Sequence, residues 1–190
     1  MRDNMRMLLS HFVLAAFLCT ACTGTFIYIP PDYPPVRWNV RAVQVSIRDE
    51  RTDAKNGLPI VPDVVMPGGS SSAEVQLRPT FERFVQRRLA QVVSGLGPPV
   101  KLEISVVKAR AEWFVNTFTE TEKALVKLQF RIYSDDGRLL TEGVGLGARE
   151  FSSGGASAQE LAAVFRAACN DAVDQYLCDE KVVRTLNAKL

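Results

Sequence analysis

Few side chains in this 190-residue sequence could do chemistry, and their positions divide them sharply. Four cysteines stand at Cys19, Cys22, Cys169 and Cys178, and the one histidine is His11. Histidine is the commonest general base and metal ligand at neutral pH. A Ser-His-Asp triad, a Cys-His pair or a histidine zinc site would therefore need a residue buried in the first apolar run of the chain. Carboxylate pairs remain for glycoside chemistry, at Asp49/Glu50, Glu120/Glu122 and Asp135/Asp136. Each reads as part of a loop or turn, where acids are ordinary. Gly143, Gly145 and Gly147 in GVGLG suggest a phosphate loop only superficially, because the third glycine of G-x-G-x-x-G would fall at Glu150. Their two-residue spacing instead puts all three on one face of a strand, where a helix can approach closely. No metal site, cofactor or enzymatic activity is expected.

Two further groups deserve placement. Cys169 and Cys178 form an even pair that invites a disulfide in an oxidising compartment. On one continuous helix, however, nine residues span about 13.5 Å, and a bridge needs alpha-carbons within about 7 Å. A bond would require the chain to turn back near Leu177–Asp179. Arg78, Arg83, Arg87 and Arg88 give a basic flank to a helix, which reads as a solvated face or as a surface for an anionic partner, with Arg83, Arg87 and Arg88 as the candidate contacts. The formal net charge of only +2 excludes the strongly basic balance of a nucleic-acid binder.

The amino terminus carries the most specific signal. Arg2 and Arg6 precede residues 7–21, in which only Ser10, His11 and Thr20 are not apolar. A charged start, an apolar core of roughly 7–15 residues and a small-residue exit form an export signal, whereas a spanning helix needs about 20 apolar residues. The exit, Leu18-Cys19-Thr20-Ala21-Cys22, resembles the bacterial lipobox, in which small residues precede a cysteine that is diacylated before cleavage. Thr20 and Ala21 suit the two positions before Cys22. Cys19 stands where the motif usually has leucine, and as an acceptor it would follow the bulky Phe17-Leu18. Cys22 is therefore the expected lipidation site. The resemblance implies a membrane anchor through two or three acyl chains, each buried methylene contributing about 0.8 kcal/mol. Thr23, rather than aspartate, after the cysteine implies the outer membrane of a Gram-negative host, facing the periplasm, over the inner membrane. Cleavage before Cys22 would leave 169 residues with 21 basic and 20 acidic side chains and no histidine.

The elements that must position these residues follow. Residues 1–21 read as a lipoprotein signal, 22–38 as a lipidated cysteine and tether containing Pro30, Pro31, Pro34 and Pro35, and 39–190 as one domain. Val43, Val45 and Ile47 alternate with polar residues as a half-buried strand, after which residues 50–76 read as loop. A helix from about Pro79 carries Phe81, Phe84, Val85, Leu89, Val92 and Leu96, and Gly95, Gly97, Pro98 and Pro99 end it. Leu102, Ile104 and Val106 face inward on the next strand, and the apolar phase then slips to Val107, Ala109, Ala111 and Trp113, as a β-bulge would cause. Val126 to Ile132 alternates cleanly, and Asp136-Gly137 turns the chain into a strand through Leu140, Val144 and Leu146. Ser157 and Glu160 form a capping box for a helix burying Leu161, Val164, Phe165, Ala168, Ala172 and Tyr176. A short helix over about 179–188 carries Val182, Val183 and Leu186. The fold expected is α+β, a mostly antiparallel four-stranded sheet with two main helices on one face, in the order β-α-β-β-β-α(α).

With the lipobox cysteine, a first strand ending V-x-V-x-I-x-D-x-R (Val43 to Arg51) and a late helix ending L-x-D (Leu177, Asp179), the chain resembles the YajG-type lipoproteins of Gram-negative bacteria, diffusely over residues 40–188. The resemblance implies location and fold and no enzymatic mechanism. The expected role is a non-catalytic, lipid-anchored protein that binds or scaffolds other envelope proteins or anionic envelope components. Accessory service to an envelope lipid or solute transporter, or a carboxylate-dependent cell-wall enzyme, are the alternatives.

Overall fold

A computed structural model describes residues 35–51, 63–65, 81–115, 119–153 and 157–188. The signal, Cys22 and most of the tether lie outside the described residues. The described elements are β1 (Val43–Asp49), β2 (Asp63–Val65), α1 (Phe81–Val92), β3 (Val100–Val115), β4 (Glu120–Ser134), β5 (Leu139–Ser153), α2 (Ala158–Leu177) and α3 (Glu180–Asn187).

Period-two alternation builds the sheet. Along β4 the even residues Glu122 to Ile132 are buried and their odd neighbours are not, so one face is core and the other is open. The strands run in the order β1-β3-β4-β5, with β2 also paired to β3. The sheet is α+β in the expected order, but it has five strands among the described residues and is mixed. β1 and β2 run parallel to β3, while β3–β4 and β4–β5 are antiparallel. Helix α1 lies in the connection from β1 to β3, and a crossover of that length returns the chain in its starting direction. The three residues of β2 correct the reading of 50–76 as loop throughout. They pair with Arg110, Ala111 and Glu112 in a run too short to show alternation.

The register of β3 slips between Val106 and Lys108, as its apolar phase implies. Val107 is the extra residue, left exposed, and Ala109 and Ala111 return to the core. Gly137, at φ +89°, forms the tight link from β4 to β5. Helix α1 ends at Val92, and Leu96 is 74% exposed beyond it, so Leu96 does not belong to the apolar stripe. The six residues expected to be buried on α2 are all core. Its capping box closes on one side only. The Glu160 amide donates to Ser157 Oγ at 3.1 Å, but the Glu160 carboxylate takes the serine hydroxyl rather than a backbone amide. Asp179 caps α3 by accepting from the amides of Lys181 and Val182.

Candidate functional site

The three glycines of β5 belong to packing. Their shared face lies under α2, so close that a Cβ on Gly145 would stand 1.9 Å from the Ala172 carbonyl oxygen and one on Gly147 1.8 Å from that of Ala168. At Gly143 the Tyr176 ring occupies the space, and that ring stacks on Phe130 with centroids 4.3 Å apart. By strand alternation the intervening Val144 and Leu146 point to the open face, each 51% exposed. One polar contact from α2 also reaches the edge of β5, where the Leu146 amide donates to Gln175 Oε1 at 2.7 Å. A side-chain acceptor on an edge amide blunts that position as a template for another strand.

Where residues 37–39 enter the body, hydrogen bonds hold them from both sides. Trp38 is fully buried and its Nε1 donates to the Leu177 carbonyl at 3.1 Å. The Asn39 amide donates to Asn187 Oδ1 at 2.7 Å, and Asn187 Nδ2 donates to the Arg37 carbonyl at 2.9 Å. On the other side Trp38 bonds the end of α1, its amide donating to the Val92 carbonyl at 2.7 Å. Chain entering from residue 37 is thus fixed between α1, the end of α2 and α3. Sequence reasoning placed Trp38 at the end of a spacer and missed its role, because a single tryptophan beside prolines carries no periodic signal.

Of the three candidate arginines on α1, the structure removes one. Arg88 pairs with Asp174 of α2, its Nε 2.7 Å from Oδ1, and also donates to Gln91. Asp174 is buried, which pushes its carboxyl above the ordinary range despite the opposing pull of Arg88, with Asp171 adding to the rise. Arg88 therefore neutralises a buried acid at the α1–α2 contact. Its loss would leave that acid without its partner. Arg83 and Arg87 are exposed and line a shallow groove of about 510 Å³ with Gln86 and Ala90. A bidentate pair, Arg149 with both oxygens of Asp171, joins β5 to α2.

The carboxylate pairs are separated by their partners. Asp49 holds Arg51 through both oxygens, at 2.8 and 2.5 Å, while Arg51 also donates to the Ala109 carbonyl at 3.3 Å. The D-x-R ending of β1 is thereby a clasp onto β3. Burial opposes ionisation of Asp49, but the hydrogen bonds and charge of Arg51 win and hold it below the usual carboxylate range. Glu50 accepts from Ser105 at 2.6 Å, and Asp136 accepts from Ser134 in the hairpin turn. Glu120 accepts from Trp113 Nε1 at 3.1 Å. Glu120 and Glu122 are not in a loop, as expected from sequence, but inside β4.

Glu122 is the anomaly of the core. It is fully buried on the helix-facing side of β4, and among the described residues neither carboxylate oxygen has a hydrogen-bond partner of ordinary geometry. Burial raises its pKa, against its own backbone amide, and the charges of Glu160 and Glu120 raise it further. A folded pKa above the ordinary 4.5 means the unfolded chain releases this proton first, so stability falls as pH rises from about 4.5 through the folded value. Glu122→Gln is accordingly expected to be more stable than the wild type at pH 7 by about 1 kcal/mol or more. The gain should vanish at pH 4 and below. Urea midpoints at both pH values check this, and an equal difference at the two would disprove the assignment.

The bond that the even cysteine pair invites, and that the helical spacing argues against, is absent between Cys169 and Cys178. Cys169 and Cys178 are free thiols, because α2 runs unbroken from Ala158 to Leu177 and holds them along its axis. Burial pushes both thiols up, Cys178 with help from the Asp174 charge. Among the described residues no group of three or more His, Cys, Asp or Glu could hold a metal, and no helix is long and apolar enough to cross a membrane.

The open face of the sheet is a grid of cross-strand ion pairs, Arg48–Glu103, Arg131–Glu142 and Lys123–Glu150, with Arg110–Glu112 along β3. Between them lie Val107, Phe114, Val144 and Leu146. Lys108, Arg110, Lys123, Leu125 and Ala148 line a depression of about 330 Å³ there.

These features define an α+β domain whose first described segment is held at Trp38. The sequence matches no family model and no curated protein. Among solved structures, it is similar to a Xanthomonas campestris protein of family DUF330, at 15% identity and a TM-score of 0.49, covering 85% of this chain and 93% of that one. It is also similar to a minor lipoprotein from Acinetobacter baumannii, at 13% identity and a TM-score of 0.45, covering 79% of this chain and 96% of that one. At these values the likenesses assign neither family nor activity.

Proposed function

We propose that the chain is a bacterial lipoprotein, acylated at Cys22 and held at the periplasmic side of the outer membrane, whose body binds other envelope components without catalysis. The carrying observation is the order of features along the chain. An apolar export core ends in Thr20-Ala21-Cys22, a proline-rich stretch follows, and the chain is then gripped at Trp38. The bonds from Asn187 and to Leu177 fix where on the body the proposed tether begins. The binding role is supported by the uncovered sheet face, where apolar side chains sit within a charged grid.

Labelled palmitate should enter the wild type and not Cys22→Ser, and the variant should leave the membrane fraction on removal of its signal. Equal labelling of the two would refute Cys22 as the acceptor. Crosslinked pull-down from intact envelopes tests the binding role, which fails if no envelope component is captured above a non-crosslinked control.

A further inference from the structure

We infer that the Arg83–Arg87 face of α1 docks on anionic phosphate headgroups of the bilayer that holds the chain. This rests on the lipid-anchor reading above. Three observations carry it.

The first is a contrast in pairing. The arginines of the sheet face, of β5 and of α3 each have a carboxylate partner, as in Arg48–Glu103, Arg149–Asp171 and Arg184–Glu180, while Arg138 and Arg166 lack an ion pair among the described residues but stand singly. On α1 the inward Arg88 is likewise paired. Among the described residues Arg83 and Arg87 have none, and the one polar contact between them is Arg87 Nε to the Arg83 carbonyl at 3.4 Å. Glu82 is the only acid of this helix. Two guanidinium forks one turn apart, with Gln86 between them in a shallow groove, present donors in the geometry that phosphate oxygens accept.

The second is place. The chain coming from Cys22 enters the body against the last turn of α1, where the Trp38 amide meets the Val92 carbonyl. Arg87 and Arg83 lie five and nine residues before Val92, about 7.5 and 13.5 Å along the helix axis. The exposed Arg37 lies at the same entry, its side chain without a carboxylate partner among the described residues. The entry of the chain and the two unpaired arginines of α1 thus lie along one helix.

The third is reach. Fifteen residues separate Cys22 from Trp38, and no conformation extends them beyond about 55 Å. A tether of that length keeps the body at a high effective concentration beside the headgroups. Two or three arginines, too weak to recruit a free protein, then suffice to orient a tethered one.

The test uses the lipidated protein in vesicles of phosphatidylcholine carrying 30% phosphatidylglycerol, a tenth of it bearing a photoactivatable headgroup, at about 0.1 M salt. Mass spectrometry of the same sample reads the lipid on Cys22 and the crosslinked residues. Crosslinks should concentrate on residues 81–92, fall by about tenfold in Arg83→Gln/Arg87→Gln, and fall similarly in vesicles in which all but the probe is neutral. Lys108→Gln/Lys127→Gln, which removes equal charge from the open sheet face, should leave them unchanged. An equal loss in that control, crosslinks centred on the sheet face, or protection of α1 only in native envelopes and not in vesicles would each overturn the docking, the last in favour of a protein partner. Absence of lipid on Cys22 overturns the anchor reading itself, and is read independently of the crosslinks.

Discussion

Gly145→Ala and Gly147→Ala should each destabilise the domain by about 3 kcal/mol or more, and the double variant should not fold. The added methyl at either position would lie within 1.9 Å of a main-chain oxygen of α2, at Ala172 or Ala168. A carbonyl inside a helix cannot rotate away without breaking the helix, so α2 would have to lift from β5. That helix carries Leu161, Val164, Phe165, Val173 and Leu177 into the core, and lifting it exposes their surface at about 25 cal/mol per Å². Gly143→Ala is the internal control. There the methyl meets a ring edge of Tyr176 at 3.0 Å, and a side chain can yield by a few tenths of an ångström. Its cost should stay near 1 kcal/mol. Guanidinium midpoints of the three variants order them, and a Gly145→Ala midpoint equal to that of the wild type would rule out the close approach.

Trp38→Ala should cost about 3–5 kcal/mol and release the tether from the body. The loss combines a large cavity with the bond to the Leu177 carbonyl. Trp38→Phe separates the two contributions. It fills most of the volume but leaves that carbonyl unpaired, for about 1–2 kcal/mol. Asn187→Ala should cost less, since its two bonds lie at the surface. Limited proteolysis under native conditions is the sensitive readout, with cleavage near residues 35–40 accelerated strongly in Trp38→Ala and weakly in Asn187→Ala. If Trp38→Ala leaves that segment as resistant as in the wild type, the tryptophan is not the clasp. In the anchored protein the same variant should also abolish selective headgroup crosslinks on α1, because the docking face then loses its fixed relation to the tether.

Much of this was legible before any coordinates, for reasons that differ between elements. The alternation in β4 and the stripe on α2 are periodic signals, long enough that a wrong period would strand apolar residues in water. The bulge at Val107 was readable as a phase slip. The glycines of β5 were readable because their two-residue spacing matches the pleat. β2 was hidden by its three-residue length, and the direction of β1 leaves no trace in composition. Arg83, Arg87 and Arg88 look alike in sequence. Only the packing of α1 on α2 reveals that Arg88 faces Asp174 while the other two face outward. Glu122 sits in a polar stretch, Glu120 to Lys123, with three charged residues and a threonine, that reads as solvated, and strand phase alone turns it inward.

Four cysteines and one histidine bound the chemistry open to this chain. The sequence by itself determined that a triad or histidine metal site would have to use His11, and it nominated Cys22, because residue identity and local spacing need no fold to be read. Tertiary structure decided what pairing can decide. It left Cys169 inside α2 and Cys178 at its C-cap unbonded, buried Glu122 without a hydrogen-bond partner among the described residues, and bound Trp38 to the end of α2. Those outcomes depend on distances between residues as far apart as Trp38 and Leu177, which no local pattern encodes.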